Sequence, residues 1–316
     1  MEYGYHIRTA YTYPEIRELA LLAEKYGFGS VHVNDHLIGF NPERKQPYLE
    51  GMVLMSAIAA ETQKVKIGHV VLANSFRNPA LTAKIISSID RISNGRALLW
   101  IGTGWYEEEY KAYGYPFPSA KQRVDELEES LTIFKKLFTE EVTNFEGKFW
   151  KLENCRNFPK PIQKPWPQIV IGATKDRLPA IACSEADGVN IPHHGVDELE
   201  KRVGFIVSKL HRYNRNSEEF EISTFNVVTL VNSQEGLDKI VNQMIQRSKQ
   251  QNQKLTKKEI LKHSFIGFVD DVKEKIKKIE ELGVRKMVIV VRGDPSIEDP
   301  LKLFHKKVMQ QDKRKG

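Results

Sequence analysis

Cysteine is scarce in this chain: Cys155 and Cys183 are the two among 316 residues, and they form no CxxC pair. A disulfide framework is thereby excluded and a cysteine-rich zinc site has no support, so an intracellular, cytoplasmic protein is expected. Long apolar runs are also lacking. No uninterrupted stretch approaches the ~18 residues that a membrane-spanning helix needs, and no membrane partner is expected. The opening Met1-Glu2-Tyr3-Gly4-Tyr5-His6 reads as strand-like alternation, not as a charged start followed by an apolar run, so no signal peptide is expected. Equally missing are a GxxxxGK[ST] loop, a GxSxG elbow and an HExxH helix, which argues against P-loop enzymes, serine hydrolases and zincins. No glycine fingerprint follows the first apolar run, as a doubly wound nucleotide-binding sheet would require.

Charge is nearly balanced. The 48 basic residues outnumber the 41 acidic ones to give a net charge of +7. Much of the excess lies at Lys254, Lys257, Lys258 and Lys262 and in a C-terminal tail, about 304–316, that carries Lys306, Lys307, Lys313, Arg314 and Lys315. No aromatic residues interleave with these charges, so they read as solvated helix faces and nucleic acid is set aside as a partner. Hydrophobic residues at 41% and charged residues at 28% are globular values and argue against disorder.

What is present is an alternation of short apolar runs with longer segments of helical period, the arrangement of βα units around a parallel sheet. Strands are expected at Tyr3 to Ile7, Ser30 to Val33, Val65 to Leu72, Ala97 to Ile101, Ile169 to Ile171, Val189 to Ile191, Ile222 to Val231 and Met287 to Val291. Between them, Pro14 and Pro79 open helices, Gly27 and Gly95 stop them, and Leu54 to Ala60 lies in a further helix. Helices also cover Arg177 to Glu185, Val196 to Tyr213, Gly236 to Lys249 and Asp271 to Leu282. The stretch 105–166 is too long for a simple connection. It holds a helix from Arg123 to Phe138 and a hairpin around Glu146-Gly147, between Val142-Phe145 and Phe149-Leu152. Eight such steps predict one α/β domain spanning 1–316, a (β/α)₈ TIM barrel with an excursion after the fourth strand.

In such a fold the chemistry sits just past the strand ends. After the second strand comes Asn34-Asp35-His36, where a carboxylate and an imidazole could share acid/base work or simply cap a turn. After the third, Arg77 could contact an anion, while Asn78-Pro79 reads as a plain helix start. After the fourth, Gly102-Thr103-Gly104-Trp105 would let a ligand approach the backbone and offers a flat ring. The following Glu107, Glu108 and Glu109 read as an exposed helix start. After the fifth, Gly172-Ala173-Thr174-Lys175 could expose N–H groups and a charge to a phosphate at a helix N-terminus.

Taken in order, these segments resemble the bacterial-luciferase-like monooxygenase superfamily, in particular its coenzyme F420-dependent oxidoreductase branch. The matching stretches include Gly27-Phe28-Gly29-Ser30-Val31 through Asp35-His36-Leu37, then Arg77-Asn78-Pro79-Ala80 and Asp90-Arg91-Ile92-Ser93-Asn94-Gly95-Arg96. Farther along they include Gly102-Thr103-Gly104-Trp105, Phe145-Glu146-Gly147-Lys148-Phe149-Trp150, Pro159-Lys160-Pro161-Ile162-Gln163-Lys164-Pro165 and Ala186-Asp187-Gly188-Val189-Asn190.

The resemblance implies a deazaflavin or flavin lying across the strand ends, F420 first and FMN as the alternative. By position, Asp35 would hydrogen-bond the ring system and His36 would be the proton donor or acceptor. Val70-Val71 would be a non-prolyl cis peptide behind the ring, Gly104 and Glu109 would line the cofactor channel, and Gly172, Ala173 and Lys175 would meet the phosphate. The expected activity is hydride transfer between F420 and a small organic substrate. One alternative is an FMN-dependent monooxygenase that uses reduced flavin from a partner reductase together with O2, and another is a non-catalytic flavin-binding homologue. A homodimer is implied by the resemblance alone. Three departures from what the resemblance implies argue against a sugar-phosphate substrate: Thr9, Ala10 and Tyr11 stand where that branch has a glutamate after the first strand, Trp105 stands where it has another, and the third is at Phe40. Phe40 replaces its tryptophan.

Overall fold

The computed structural model describes residues 1–40, 47–174, 177–192, 195–250 and 254–310. The chain divides into two compact units, one of Gly4–Asn190 with Leu210–Glu221, the other of Met1–Tyr3, Ile191–Lys209 and Ile222–Gly316.

The larger unit runs β1 (Glu2–Ile7, from Gly4 onward), α1 (Tyr13–Lys25), β2 (Ser30–Val33), α2 (Gly51–Glu61), β3 (Lys66–His69), β4 (Leu72–Ala73), α3 (Pro79–Ile92) and β5 (Leu99–Gly102). The excursion follows with α4 (Glu107–Ala112), α5 (Ala120–Thr139) and the hairpin β6 (Thr143–Glu146) and β7 (Lys151–Cys155). Then come β8 (Ile169–Gly172), α6 (Arg177–Glu185) and β9 (Gly188–Pro192). The pairs β1–β2, β2–β3, β4–β5, β5–β8 and β8–β9 are all parallel. An isolated bridge, Ile67 to Ala97, joins β3 to the approach of β5. Ala73 lies opposite Gly102, Ile101 opposite Ile171, and Gly172 opposite Asn190, so the C-terminal ends of these strands finish at one level. Their Val, Ile and Leu residues are buried in unbroken runs, as in parallel strands covered on both faces.

Two charged groups lock the opposite ends of these strands. Arg96 donates to the carbonyls of Ala59, Thr62, Val65 and Ser93 at 2.7–2.9 Å. The fully buried Asp90 carboxylate accepts from the N–H groups of Ala97, Ile162 and Gln163 and from Gln163 Nε2. In the excursion, Glu129 of α5 accepts from the N–H groups of Lys148, Phe149 and Trp150, which ties the hairpin turn to the helix.

The smaller unit contains α7 (Val196–Arg212, up to Lys209), β10 (Glu221–Leu230, from Ile222), α8 (Gln234–Gln250), α9 (Lys257–His263), β11 (Phe265–Gly267), α10 (Val269–Glu281), β12 (Lys286–Gly293) and α11 (Pro300–Phe304). A π-helical turn, His305–Met309, follows. Parallel β10 and β12 pair from Ser223/Lys286 to Leu230/Gly293, β11 pairs with the last residues of β10, and the Glu2 N–H donates to the Arg285 carbonyl. Val231, Leu237, Val241, Ile260 and Ile266 form a core there. Beside it, Lys275 caps the carbonyls of Leu261, Ser264 and Ile266.

The architecture is α/β of the (β/α)₈ type, and its eight successive strands, β1, β2, β3 with β4, β5, β8, β9, β10 and β12, are those the sequence predicts. Several boundaries differ. The third apolar run is not one strand: it breaks at Val70-Val71, whose peptide bond is cis, into β3 and β4. The second hairpin strand begins at Lys151 instead of Phe149, because Glu129 draws the N–H groups of residues 148–150 into the turn. Helix α5 starts at Ala120, where Ser119 caps it through the Gln122 N–H at 3.3 Å. Neither β11 nor α9 was expected; a three-residue strand is too short to show a period. Of the basic tail, residues 311–316 lie outside the described residues.

Candidate active site

At the C-terminal end of β2 the chain turns through Asn34, Asp35 and His36. Asp35 is buried, and its carboxylate accepts from Arg77 Nη1 and Nη2, both at 2.8 Å, and from the Ala73 N–H at 2.8 Å. Arg77 also pairs with Glu50, which in turn caps α2 through the Val53 N–H. Burial raises the Asp35 carboxyl, but the hydrogen bonds and charge of Arg77 outweigh it, and the group sits below the usual carboxylate range. The same pairing lifts Arg77 above the normal guanidinium range in spite of its own burial. His69 is driven down, first by burial and then by Arg77, with Asp35 opposing.

His36 faces another way. Its Nδ1 lies 2.9 Å from Glu109 Oε1, and Glu109 Oε2 accepts from the Leu37 N–H at 3.0 Å. A carboxylate only accepts, so this contact puts a hydrogen on Nδ1 and leaves Nε2 for proton exchange. Glu109 is buried whereas Glu107 and Glu108 are exposed. The acidic run is therefore a helix start, as expected, but its third member turns inward with Tyr110 and holds the loop after β2.

The glycines of the fourth strand end admit side chains of the protein itself. A Cβ on Gly102 would come within 2.8 Å of Val71, and Gly104, at φ +73°, would carry a Cβ 1.8 Å from the Tyr110 hydroxyl. That hydroxyl is 3.0 Å from Ser75 Oγ. At the fifth strand end the expectation of exposed N–H groups is corrected at Ala173, which is buried and donates to the Asn190 carbonyl at 2.9 Å. Lys175 lies outside the described residues. Arg177 pairs with Asp125 and Glu128. Arg77, read as an anion contact, is instead occupied by Asp35 and Glu50. His32 is a core histidine, with Nε2 2.9 Å from Ser30 Oγ and its ring packed on Trp100.

The Asp35–Arg77 pair escaped the sequence reading because its members are 42 residues apart and nothing local marks them as partners.

Among the described residues no helix is long and apolar enough to cross a membrane. An F420-dependent glucose-6-phosphate dehydrogenase from Amycolatopsis mediterranei (strain U-32) is 33% identical over 151 residues, covering 47% of this chain and 45% of that protein. An FMNH(2)-dependent dimethylsulfone monooxygenase from Pseudomonas putida is 27% identical over 203 residues, 64% of this chain and 55% of that one. The match thus spans about half the length of these relatives. In architecture, an F420-dependent secondary alcohol dehydrogenase solved with an F420-acetone adduct aligns over 98% of both chains with a TM-score of 0.82 at 17% identity. The luciferase-like monooxygenase model matches residues 2–286, and the chain belongs to that family.

Proposed function

We propose that the chain is an F420-dependent oxidoreductase that moves a hydride between the deazaflavin and a small organic substrate, with His36 exchanging the accompanying proton. The carrying observation is the His36–Glu109 contact at the strand-end rim, which fixes one ring nitrogen and leaves the other for substrate. The donor set suits a flat redox cofactor with an anionic arm: an oriented imidazole, exposed aromatic rings beside it, and the N-terminus of the nine-residue helix α6 just past β8. Val70, Val71, Gly104, Gly172 and Ala173 would form the wall and floor of its seat, with Lys175 at the phosphate. When bound, the cofactor supplies or accepts the hydride. In the reducing direction His36 would act as the imidazolium, giving its Nε2 proton to the substrate oxygen and keeping the Nδ1 hydrogen on Glu109, so that a carbonyl ends as an alcohol. Asp35 acts through Arg77 and the Ala73 N–H, fixing the loop on which His36 stands.

A second reading, an FMN-dependent monooxygenase served by a flavin reductase, is favoured by the longer stretch shared with the dimethylsulfone enzyme. Titration of the purified protein with F420 and with FMN, each followed by absorbance, separates the two. Saturable F420 binding with F420H2 oxidation in the presence of carbonyl compounds is expected; tight FMN binding without F420 binding would replace the first reading by the second. A homodimer belongs to this proposal, and light scattering checks it.

A further inference from the structure

Glu50 directly precedes α2, and its two carboxylate oxygens are put to different uses. Oε2 accepts from the Val53 N–H at 2.8 Å, the ordinary work of a helix N-cap. Oε1 accepts from Arg77 Nη2. Capping alone does not account for a glutamate, since Ser, Asp and Asn are the side chains that suit that position; the longer stem is what reaches Arg77. Exposure falls inward along these contacts, from 37% for the Glu50 side chain to 11% for Arg77 and 1% for Asp35, so Glu50 is the member that can be altered without opening the core.

A guanidinium is flat and its N–H groups point in fixed directions. Nη1 and Nη2 of Arg77 donate to Asp35 Oδ2 and Oδ1, both at 2.8 Å. That fork by itself holds two side chains to each other but leaves them able to swing as one unit. The second hydrogen on Nη2 goes to Glu50, and an acceptor on another element fixes the plane of the group. Asp35, tied also to the Ala73 N–H of β4, is the residue directly before His36. The start of α2 presses on the same turn: a Cβ at Gly51 would lie 3.0 Å from Asp35 Oδ1 and 3.1 Å from the Asn34 carbonyl oxygen. The imidazole is thus held at both ends, by Glu109 at Nδ1 and through Asp35 at its own backbone.

We propose that Glu50 is a positioning residue: by fixing the plane of the Arg77 guanidinium it holds the Asn34-Asp35-His36 turn at the angle that keeps His36 Nδ1 on Glu109 and Nε2 available for proton exchange. The use made of Nε2 rests on the proposed function; the orientation of the ring does not.

The two jobs of Glu50 can be separated by substitution. Glu50→Ser keeps a capping oxygen for the Val53 N–H and is too short to reach Arg77. Glu50→Gln keeps the reach, and its one carbonyl oxygen goes to the charged donor of Arg77, leaving the cap unmade. The test is NMR of the isotope-labelled histidines in the full, cofactor-free chain, at a pH where the ring is neutral, alongside thermal melts. The His36 signals are assigned by their loss in His36→Ala. The parent is expected to show one tautomer, with its hydrogen on Nδ1. Glu50→Ser should draw the Nδ1 and Nε2 shifts of His36 toward a common average at the parent's melting temperature. Glu50→Gln should keep the parent's His36 shifts with a lower melting temperature. A mixed tautomer already in the parent, unchanged His36 shifts in Glu50→Ser, or equal disturbance by both variants would overturn the proposal. Full turnover by His36→Ala would refute the proton role separately; the ring is read without cofactor or substrate, so the NMR comparison still decides for Glu50.

Discussion

With Nδ1 of His36 held by Glu109, replacing either residue removes a different part of the same device. His36→Ala should lower turnover by about 10²–10⁴-fold with cofactor Kd retained, as expected for loss of a general acid or base. Glu109→Ala should lower kcat more than it alters KM, because the imidazole is misoriented but present, and Glu109→Gln should recover part of the loss through its remaining acceptor. Steady-state kinetics on the three variants checks both. His6 offers a stability test: burial, then the charges of Arg8 and His36, lower its pKa from 6.5 to about 3. Between those values the unfolded chain holds a proton that the folded chain does not, so stability falls as pH drops from 6.5 toward 3. The effect is on the order of 5 kcal/mol at its limit. Asp35, with its depressed carboxyl, adds a further loss below the ordinary carboxylate range. Thermal melts of the parent should decline across that window, and His6→Leu should flatten the upper part of the curve.

At the scale of elements, the apolar runs and the proline and glycine punctuation placed the eight strands and most helices, because a buried parallel strand reads as an unbroken Val/Ile/Leu run. Tertiary ties were not legible. Nothing near Phe149 announces that Glu129, 20 residues earlier, will take its N–H, and so the hairpin starts later than alternation suggests. The same holds for Asp90, which looks like one more charge on α3 but joins that helix to the segment before β8. Asp90→Ala leaves buried N–H groups unpaired and should cost roughly 3 kcal/mol, measured by urea denaturation. Glu129→Ala should raise hydrogen exchange at residues 148–150 with little change in global stability.

For the whole molecule, the surplus of positive charge bears on how an anionic cofactor arrives. If F420 is the ligand, its charged tail should make binding salt-sensitive: Kd should rise several-fold between about 0.05 and 0.5 M NaCl, and rise less for FMN. The fold class was legible because it follows from the count and order of elements. The candidate site was legible only as positions along strand ends; which side chains face one another there depends on long-range pairing. That pairing also constrains engineering. Glu109, Trp105 and Tyr106 all stand at the root of the excursion, whereas His36 and Phe40 follow β2. A graft that imports this insertion from a relative will replace the residue that contacts His36 Nδ1 if its junction precedes Glu109, and will keep that contact if it follows Tyr110.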